Sequence, residues 1–416
     1  MPFRGFEGPA GTGKTFELIE ASRGRVARDQ LHRHQRLLAL TFMHGSRRRL
    51  QERLAAFQET RERSSCMTID SFAFHVLHRW RSIGGSLPNA KQFDENCDAC
   101  GALLERPEVA RWVVATFPVI AIDEAQELSP ARLRISKALS THADMFVAAD
   151  EFQCLDDSID TGPFQEWFRT GEIHRLTRVQ RTTRRGLLDA GINLRLGTAP
   201  TNGEGLMIKY DFPNQAPFSI GHVLNAARGP TAVLVAPGAA GWADQLIPRL
   251  SQGFRSATQV VAPIRITWET AANDEATALA NSICGGGVIT TDDLRTRLLA
   301  LADPPGWLRL ALSAVDYARR ARGQTQWSPD NIHDMMERKS SIHRAFGYST
   351  PRGIPVMSIH SAKNRQFRNI IVLWSPGIPG DDNYKRRLLY NAITRAEHQC
   401  TIFVRTRATL AASPFV

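Results

Sequence analysis

Apolar residues recur along this chain in two rhythms. Short runs of strand length stand at Phe3 to Glu7, Leu37 to Phe42, Val119 to Ile122, Met145 to Ala149, Ala232 to Ala236, Ile370 to Trp374 and Thr401 to Val404. Between them apolar positions repeat at helical spacing, as in Phe16, Leu18 and Ile19. Near-continuous apolar strands alternating with helices predict parallel sheets covered on both faces, so the expected fold class is α/β.

Two regions break the alternation. Residues of about 76–112 are polar, contain Gly84, Gly85 and Pro88, and read as a small helical insertion with loops. Residues of about 268–350 carry Leu294, Leu298, Leu299 and Leu301, then Leu308 to Ala321, at helical spacing after a Gly285-Gly286-Gly287 break, and read as a second insertion. Arg-rich sequence gives way to Gly197, Pro200, Asn202 and Gly203, which suits a domain boundary. The expectation is a first domain over 1–180 and a second over 181–416, each with one insertion.

Composition narrows the class. With 416 residues, 43% hydrophobic and 22% charged, the chain has the make-up of a globular protein with more than one core. No apolar run reaches the roughly 18 to 20 residues of a bilayer span, and Arg4 and Glu7 interrupt the N-terminus, so a cytoplasmic protein with no membrane partner is expected. Six scattered cysteines do not make a disulfide framework, and the Cys97/Cys100 pair has no second ligand pair at zinc spacing. A net charge of +11 favours a polyanionic partner, because each neutralised phosphate releases counterions.

The sharpest motif is Gly8-Pro9-Ala10-Gly11-Thr12-Gly13-Lys14-Thr15 between a strand and a helix. In such a loop the backbone at Gly8, Gly11 and Gly13 can wrap phosphate oxygens. Lys14 supplies a β/γ-phosphate contact and Thr15 a Mg2+ ligand. The run Val119-Ile120-Ala121-Ile122 then delivers Asp123 and Glu124 to a strand's C-terminal end. Asp123 is placed as the second metal ligand, Glu124 as the group that activates the attacking water. The cofactors implied are ATP, or another nucleoside triphosphate, and Mg2+.

Asp123-Glu124-Ala125-Gln126 resembles the second motif of UvrD/Rep-like superfamily 1 DNA helicases, and further segments fall in that family's order. Leu40 to Ser46, with Thr41, Phe42 and Ser46, is similar to the first DNA-contacting motif. Thr68-Ile69-Asp70-Ser71-Phe72 is similar to the next, which implies DNA contacts from Thr68, Ser71 and Phe72. Ala148 to Gln153 resembles the motif whose glutamine, here Gln153, senses the γ-phosphate. Leu176 to Thr182 resembles the segment with a catalytic arginine, here Arg181. Ser358 to Lys363 is similar to the second domain's DNA-contacting motif, which implies contacts from Ser358 and His360. Leu389 to Ala396 resembles the last motif, whose Arg395 would reach the γ-phosphate. The resemblance implies two RecA-like P-loop domains with parallel sheets and small helical insertions. It also implies an ATPase that moves along single-stranded DNA.

The chain departs from the family in several places. Only seven residues precede Gly8 here, so an upstream adenine-reading glutamine segment is not expected. Gln180 stands where an aromatic would pack on the base, and Phe16 where a basic residue often follows Thr15, so weak base selectivity is expected. After Gln153, Cys154 to Ser158 lack the aromatics that stack on DNA; Phe164, Trp167 or Phe168 could substitute, although aromatics at that spacing more often belong to a core. Asn364 and Gln366 replace a glycine and a ribose-binding glutamate. The insertions are short. A minimal translocase of DNA repair or phage defence, working with a partner such as a nuclease, is the primary reading; a nucleotide-gated subunit that regulates such a nuclease is the alternative.

Overall fold

In the computed structural model of the protein, all residues are described except 1–2, 30, 43, 85–91, 211–214, 257, 270–271, 285–286, 303 and 346–352. Two six-stranded sheets organise the chain. The first holds β1 (Arg4–Glu7), β2 (Leu37–Thr41), β3 (Ser64–Thr68), β4 (Val119–Ile122), β5 (Asp144–Ala149) and β6 (Glu172–Arg175), in the order β3-β2-β4-β5-β1-β6. Every pairing in it is parallel. Every residue of β2 and β4 is buried, as strands covered by helices on both faces must be.

The second sheet holds β7 (Leu206–Tyr210), β8 (Thr231–Val235), β9 (Ile266–Trp268), β10 (Ile354–Ser358), β11 (Phe367–Trp374) and β12 (Ala396–Val404), in the order β9-β10-β8-β11-β12-β7. The pairings of β10 with β8, β8 with β11, β11 with β12 and β12 with β7 are parallel. The fold is α/β, built on two six-stranded sheets of mainly parallel strands.

The seven apolar runs all became strands, with ends shifted by a few residues. Hydrogen bonding carried β11 back to Phe367 and β12 back to Ala396. The pattern missed β3, β6, β7, β9 and β10. The sequence of β6, Glu-Ile-His-Arg, offers one apolar residue because it is an exposed edge strand. Between β3 and β4, the helices Ile69–Arg79, Phe93–Leu104 and Pro107–Thr116 share one core with the sheet: Cys97, Cys100, Leu103 and Val113 are buried with Leu38, Leu40 and Ile120. Burial pushes the Cys97 thiol up to about 12, and Cys97 donates to Asp70 at 3.4 Å.

Residues Thr267–Pro355 form a compact unit of their own. The helices Ala272–Cys284, Thr291–Leu299, Leu308–Arg322 and Pro329–Ala345 close on a separate core that includes Leu294, Leu298, Trp307, Val315 and Met336. Buried Trp327 satisfies its indole N–H on Thr291 Oγ1 at 3.1 Å. Among the described residues no helix is long and apolar enough to cross a membrane.

Candidate active site

Strand β1 hands the chain to a loop over Gly8 to Gly13, and the helix α1 (Lys14–Asp29) follows at once. Gly11 and Gly13 have φ of 81° and 93°, a region closed to most side chains. A Cβ on Gly8 would meet the Leu176 carbonyl oxygen at 2.3 Å, and one on Gly11 would lie 2.8 Å from Arg181 Cβ. The glycines therefore let the loop turn and let residues 176–181 lie directly on it. Gln180 completes that contact by donating its N–H to the Gly11 carbonyl at 2.8 Å.

The loop's polar groups are arranged for a phosphate chain. Lys14 Nζ donates to the carbonyls of Gly8 (2.8 Å) and Pro9 (3.0 Å) and lies 3.5 Å from Asp150. Thr15 Oγ1 donates to both oxygens of Asp123, at 3.2 and 3.0 Å. Burial, and then the charge of Glu124, push the Asp123 carboxyl up to about 7. A buried acid in that state gains most from a cation, so the Thr15 and Asp123 oxygens fit a divalent metal. Glu124 sits in the left-handed region at φ 60°, a conformation costly for a residue with a side chain and common at functional positions. Its carboxylate accepts from Gln126 at 2.6 Å, while Gln126 accepts from the Asp150 N–H at 2.9 Å. The glutamine thereby fixes Glu124 relative to the end of β5.

Two arginines approach this loop, Arg395 from the second sheet and Arg181 from the segment that follows β6. Arg395, at the start of β12 and 2% exposed, donates to Gln153 at 2.7 Å and to the Asn391 carbonyl at 3.1 Å. Arg181 donates to the Thr394 carbonyl. Burial and the neighbouring Arg395 push its guanidinium down to about 9. Two crowded guanidiniums near Glu124 form a site short of negative charge, which is what a triphosphate would supply. Gln366, with its amide oxygen turned toward Arg181, accepts from Nη2 at 3.0 Å and Nε at 3.2 Å. The structure thus places Gln366 on the arginine, whereas its expected partner is ribose.

A small cleft lies between the sheets, lined by Thr41, Phe42, Glu124, Gln126, Glu127, Gln153, Lys363 and Asn364. Lys363 bridges it to Glu127 at 2.7 Å. The Thr41 hydroxyl, buried in its wall, has no hydrogen-bond partner. Asn364 has φ of 62°, which explains how asparagine can stand where relatives in the resemblance carry glycine.

The other expected nucleic-acid contacts are scattered. Thr68 caps the helix Ile69–Arg79, accepting from the Ser71 N–H at 3.1 Å and donating to Ser71 Oγ at 2.8 Å. Phe72 is a correction: its ring is buried in the core of the first sheet and is not presented to a base. The Ser46 side chain lies outside the described residues. Ser358 pairs with Ser361 at 2.9 Å, and half-buried His360 sits 3.3 Å from the Tyr384 hydroxyl. Burial, followed by the Lys363 charge, lowers the His360 pKa.

The aromatics offered as substitutes for the lost stacking residues belong to a core, the reading their spacing favours. Phe164, Trp167 and Phe168 are buried, and Phe3 stacks on Trp167 at 4.4 Å between centroids. They hold β1 rather than a base. The Cys154 to Ser158 segment is instead used to join the lobes: Leu155 is buried in the second sheet's core and Asp157 pairs with Arg387. Asp150 meets Arg195 at 2.7 Å and the Tyr390 hydroxyl at 3.4 Å, contacts between distant segments that the sequence does not single out. Arg195 reads in sequence as an ordinary cation in a helix's last turn.

Residues 353–403 match the UvrD-like helicase C-terminal domain family, a stretch that includes Ser358, His360, Lys363, Gln366 and Arg395. Comparison with curated proteins finds no match. Among solved structures, one similar chain is the arterivirus nonstructural protein 10, a helicase in complex with DNA. Identity is 11% and the TM-score 0.35; the alignment covers 97% of this chain and 61% of that one. This chain therefore spans less than two thirds of that protein's length.

Proposed function

We propose that this chain, which carries a UvrD-like helicase C-terminal domain over residues 353–403, is an ATP-hydrolysing motor that moves along single-stranded DNA. The observation that supports it most is the meeting of groups from two sheets: Lys14, Thr15, Asp123 and Glu124 stand on the glycine loop and a strand end of the first, and Arg395, just before β12 of the second, binds Gln153 at 2.7 Å with Arg181 beside it. In this reading the lobes are residues 1–180 and 181–416. Glu124 orients water toward the γ-phosphate, and Gln153, tied to Arg395, senses that phosphate from both sides. Thr15 and Asp123 would hold Mg2+, which when bound neutralises charge on the transferred phosphoryl group. Closure of the lobes completes the cation set, so hydrolysis and lobe movement are linked.

DNA would lie across Thr41, Phe42 and the Thr68–Ser71 cap on one lobe and Ser358 and His360 on the other, with the net charge of +11 favouring the phosphate backbone. A nuclease partner and a role in DNA repair or phage defence belong to the same proposal. With Gln180 and Phe16 at the base end, GTP and CTP should be hydrolysed nearly as well as ATP.

The test is nucleotide turnover with and without single-stranded DNA for the intact chain, Lys14→Ala and Glu124→Gln. Hydrolysis stimulated by DNA and lost in both variants supports the motor. Turnover indifferent to DNA overturns it in favour of a nucleotide-gated subunit that controls a nuclease. A strong preference for ATP would remove the claim about base selectivity alone.

A further inference from the structure

Asp150, at the end of β5, has a side chain with no exposed surface. A carboxylate so placed needs compensating charge and hydrogen bonds. Four side chains face it. Gln153 donates at 2.7 Å and the Tyr390 hydroxyl lies at 3.4 Å. Arg195 Nη1 binds at 2.7 Å, while Lys14 Nζ stands off at 3.5 Å, beyond normal hydrogen-bond length. Of the two cations, the tight partner therefore comes from the helix α2 (Arg185–Leu196), which packs with the second sheet. The loose one is the phosphate-loop lysine.

Tyr390, on the helix α3 (Asp382–Ile393), extends the same contact into the loop. Its hydroxyl accepts from the Ala10 N–H at 2.8 Å, across 380 residues of sequence. That bond leaves the phenolic proton free to face Asp150. Phe152 locks the pair in place. Its ring meets Tyr390 edge-on at 5.0 Å, and the Arg195 guanidinium lies 5.2 Å from Phe152 and 5.6 Å from Tyr390.

We propose that Arg195 and Tyr390 are positioning residues that satisfy Asp150 and the loop backbone from the second lobe, freeing Lys14 for the triphosphate and making nucleotide affinity depend on that lobe's engagement. When Arg195 withdraws, Lys14 is the remaining cation that faces Asp150, and the two draw together. Nucleotide must then break a buried ion pair before Lys14 can bind phosphate. The loop is open to nucleotide when the lobes are joined and guarded when they part.

This inference rests on Lys14 being the phosphate ligand. The experiment measures KM and kcat for ATP, with Kd from fluorescent-nucleotide titration, in the full chain. Arg195→Met should raise KM and Kd by roughly 5- to 50-fold while kcat changes far less, within the usual span of coupling between sites. Arg195→Lys should recover most of the affinity, because the charge returns. The double variant Arg195→Met with Asp150→Asn should also move back toward the parent, because no buried carboxylate then competes with phosphate for Lys14. Should Arg195→Met fail to fold, Tyr390→Phe, which keeps the ring packing, decides by a smaller KM rise in the same direction. The inference is overturned by an unchanged KM in Arg195→Met, or in Tyr390→Phe where that variant decides, or by a double variant no better than the single. Lys14→Ala separates the two readings: normal nucleotide affinity there defeats the role of Lys14, whereas lost affinity beside a parental KM in Arg195→Met defeats this inference alone.

Discussion

The two sheets have the same number of strands and very different chemistry at their shared cleft. The first presents the glycine loop and most of the acids, Asp123, Glu124, Glu127 and Asp150, on strand ends and the turns that follow them. The second side presents cations and a phenol: Arg181, Arg195, Lys363, Arg395 and Tyr390. Neither set is complete, and each is costly to bury without the other. Burial raises the Asp123 carboxyl to about 7 and lowers the Arg181 guanidinium to about 9, so each group sits where its charged form is disfavoured without an opposite charge. On the proposed function, a triphosphate would bind best when both sides contribute, and the site would then respond to how the two sheets meet.

The strongest way to break the comparison is at its cationic side. Arg395→Ala should lower kcat by roughly 10³- to 10⁵-fold if the second side supplies transition-state charge, as measured by phosphate release. A drop of less than tenfold would leave the first lobe self-sufficient. Glu124→Gln should come next, with a loss of about 10²- to 10⁴-fold in turnover and nucleotide binding retained in a filter or fluorescence assay. If that variant loses binding as well, Glu124 belongs to the nucleotide grip rather than to water activation.

A smaller effect should come from the bridge over the cleft. Lys363→Met removes the 2.7 Å pair with Glu127, and leaves DNA-free turnover much less affected than its stimulation by DNA, which should fall roughly 5- to 20-fold. Equal losses with and without DNA would make the bridge purely structural. The smallest effect is expected at Asp157→Asn, which breaks a half-exposed pair with Arg387; its cost should be about 0.2 to 1 kcal/mol in denaturant unfolding, typical of such pairs. A larger value would show that Asp157 is part of the interlobe latch.

Legibility differed between the lobes for a physical reason. The glycine loop and Asp123-Glu124 are contiguous in sequence, since a loop that wraps phosphate and acids that cap one strand are local structures. Arg395 was readable because it sits in a contiguous motif at the start of β12. Asp150 lay inside a segment that had been noticed, yet its partners Lys14, Arg195 and Tyr390 are 136, 45 and 240 residues away. Nothing local marks Tyr390, which shares its helix with buried Leu388, Leu389 and Ile393. The aromatics Phe164, Trp167 and Phe168 are ambiguous in sequence, because a ring that could stack on a base and a ring that seals a core look alike there, and packing makes them core.

By itself the amino-acid sequence determined the two parallel α/β sheets, through apolar runs long enough to be covered on both faces, and the phosphate loop, through glycines whose backbone angles few other residues adopt. Tertiary structure alone decided which charges meet. Ion pairs, orphaned hydroxyls and buried carboxylates depend on distances between residues far apart along the chain, and no local pattern encodes those distances before the two sheets pack together.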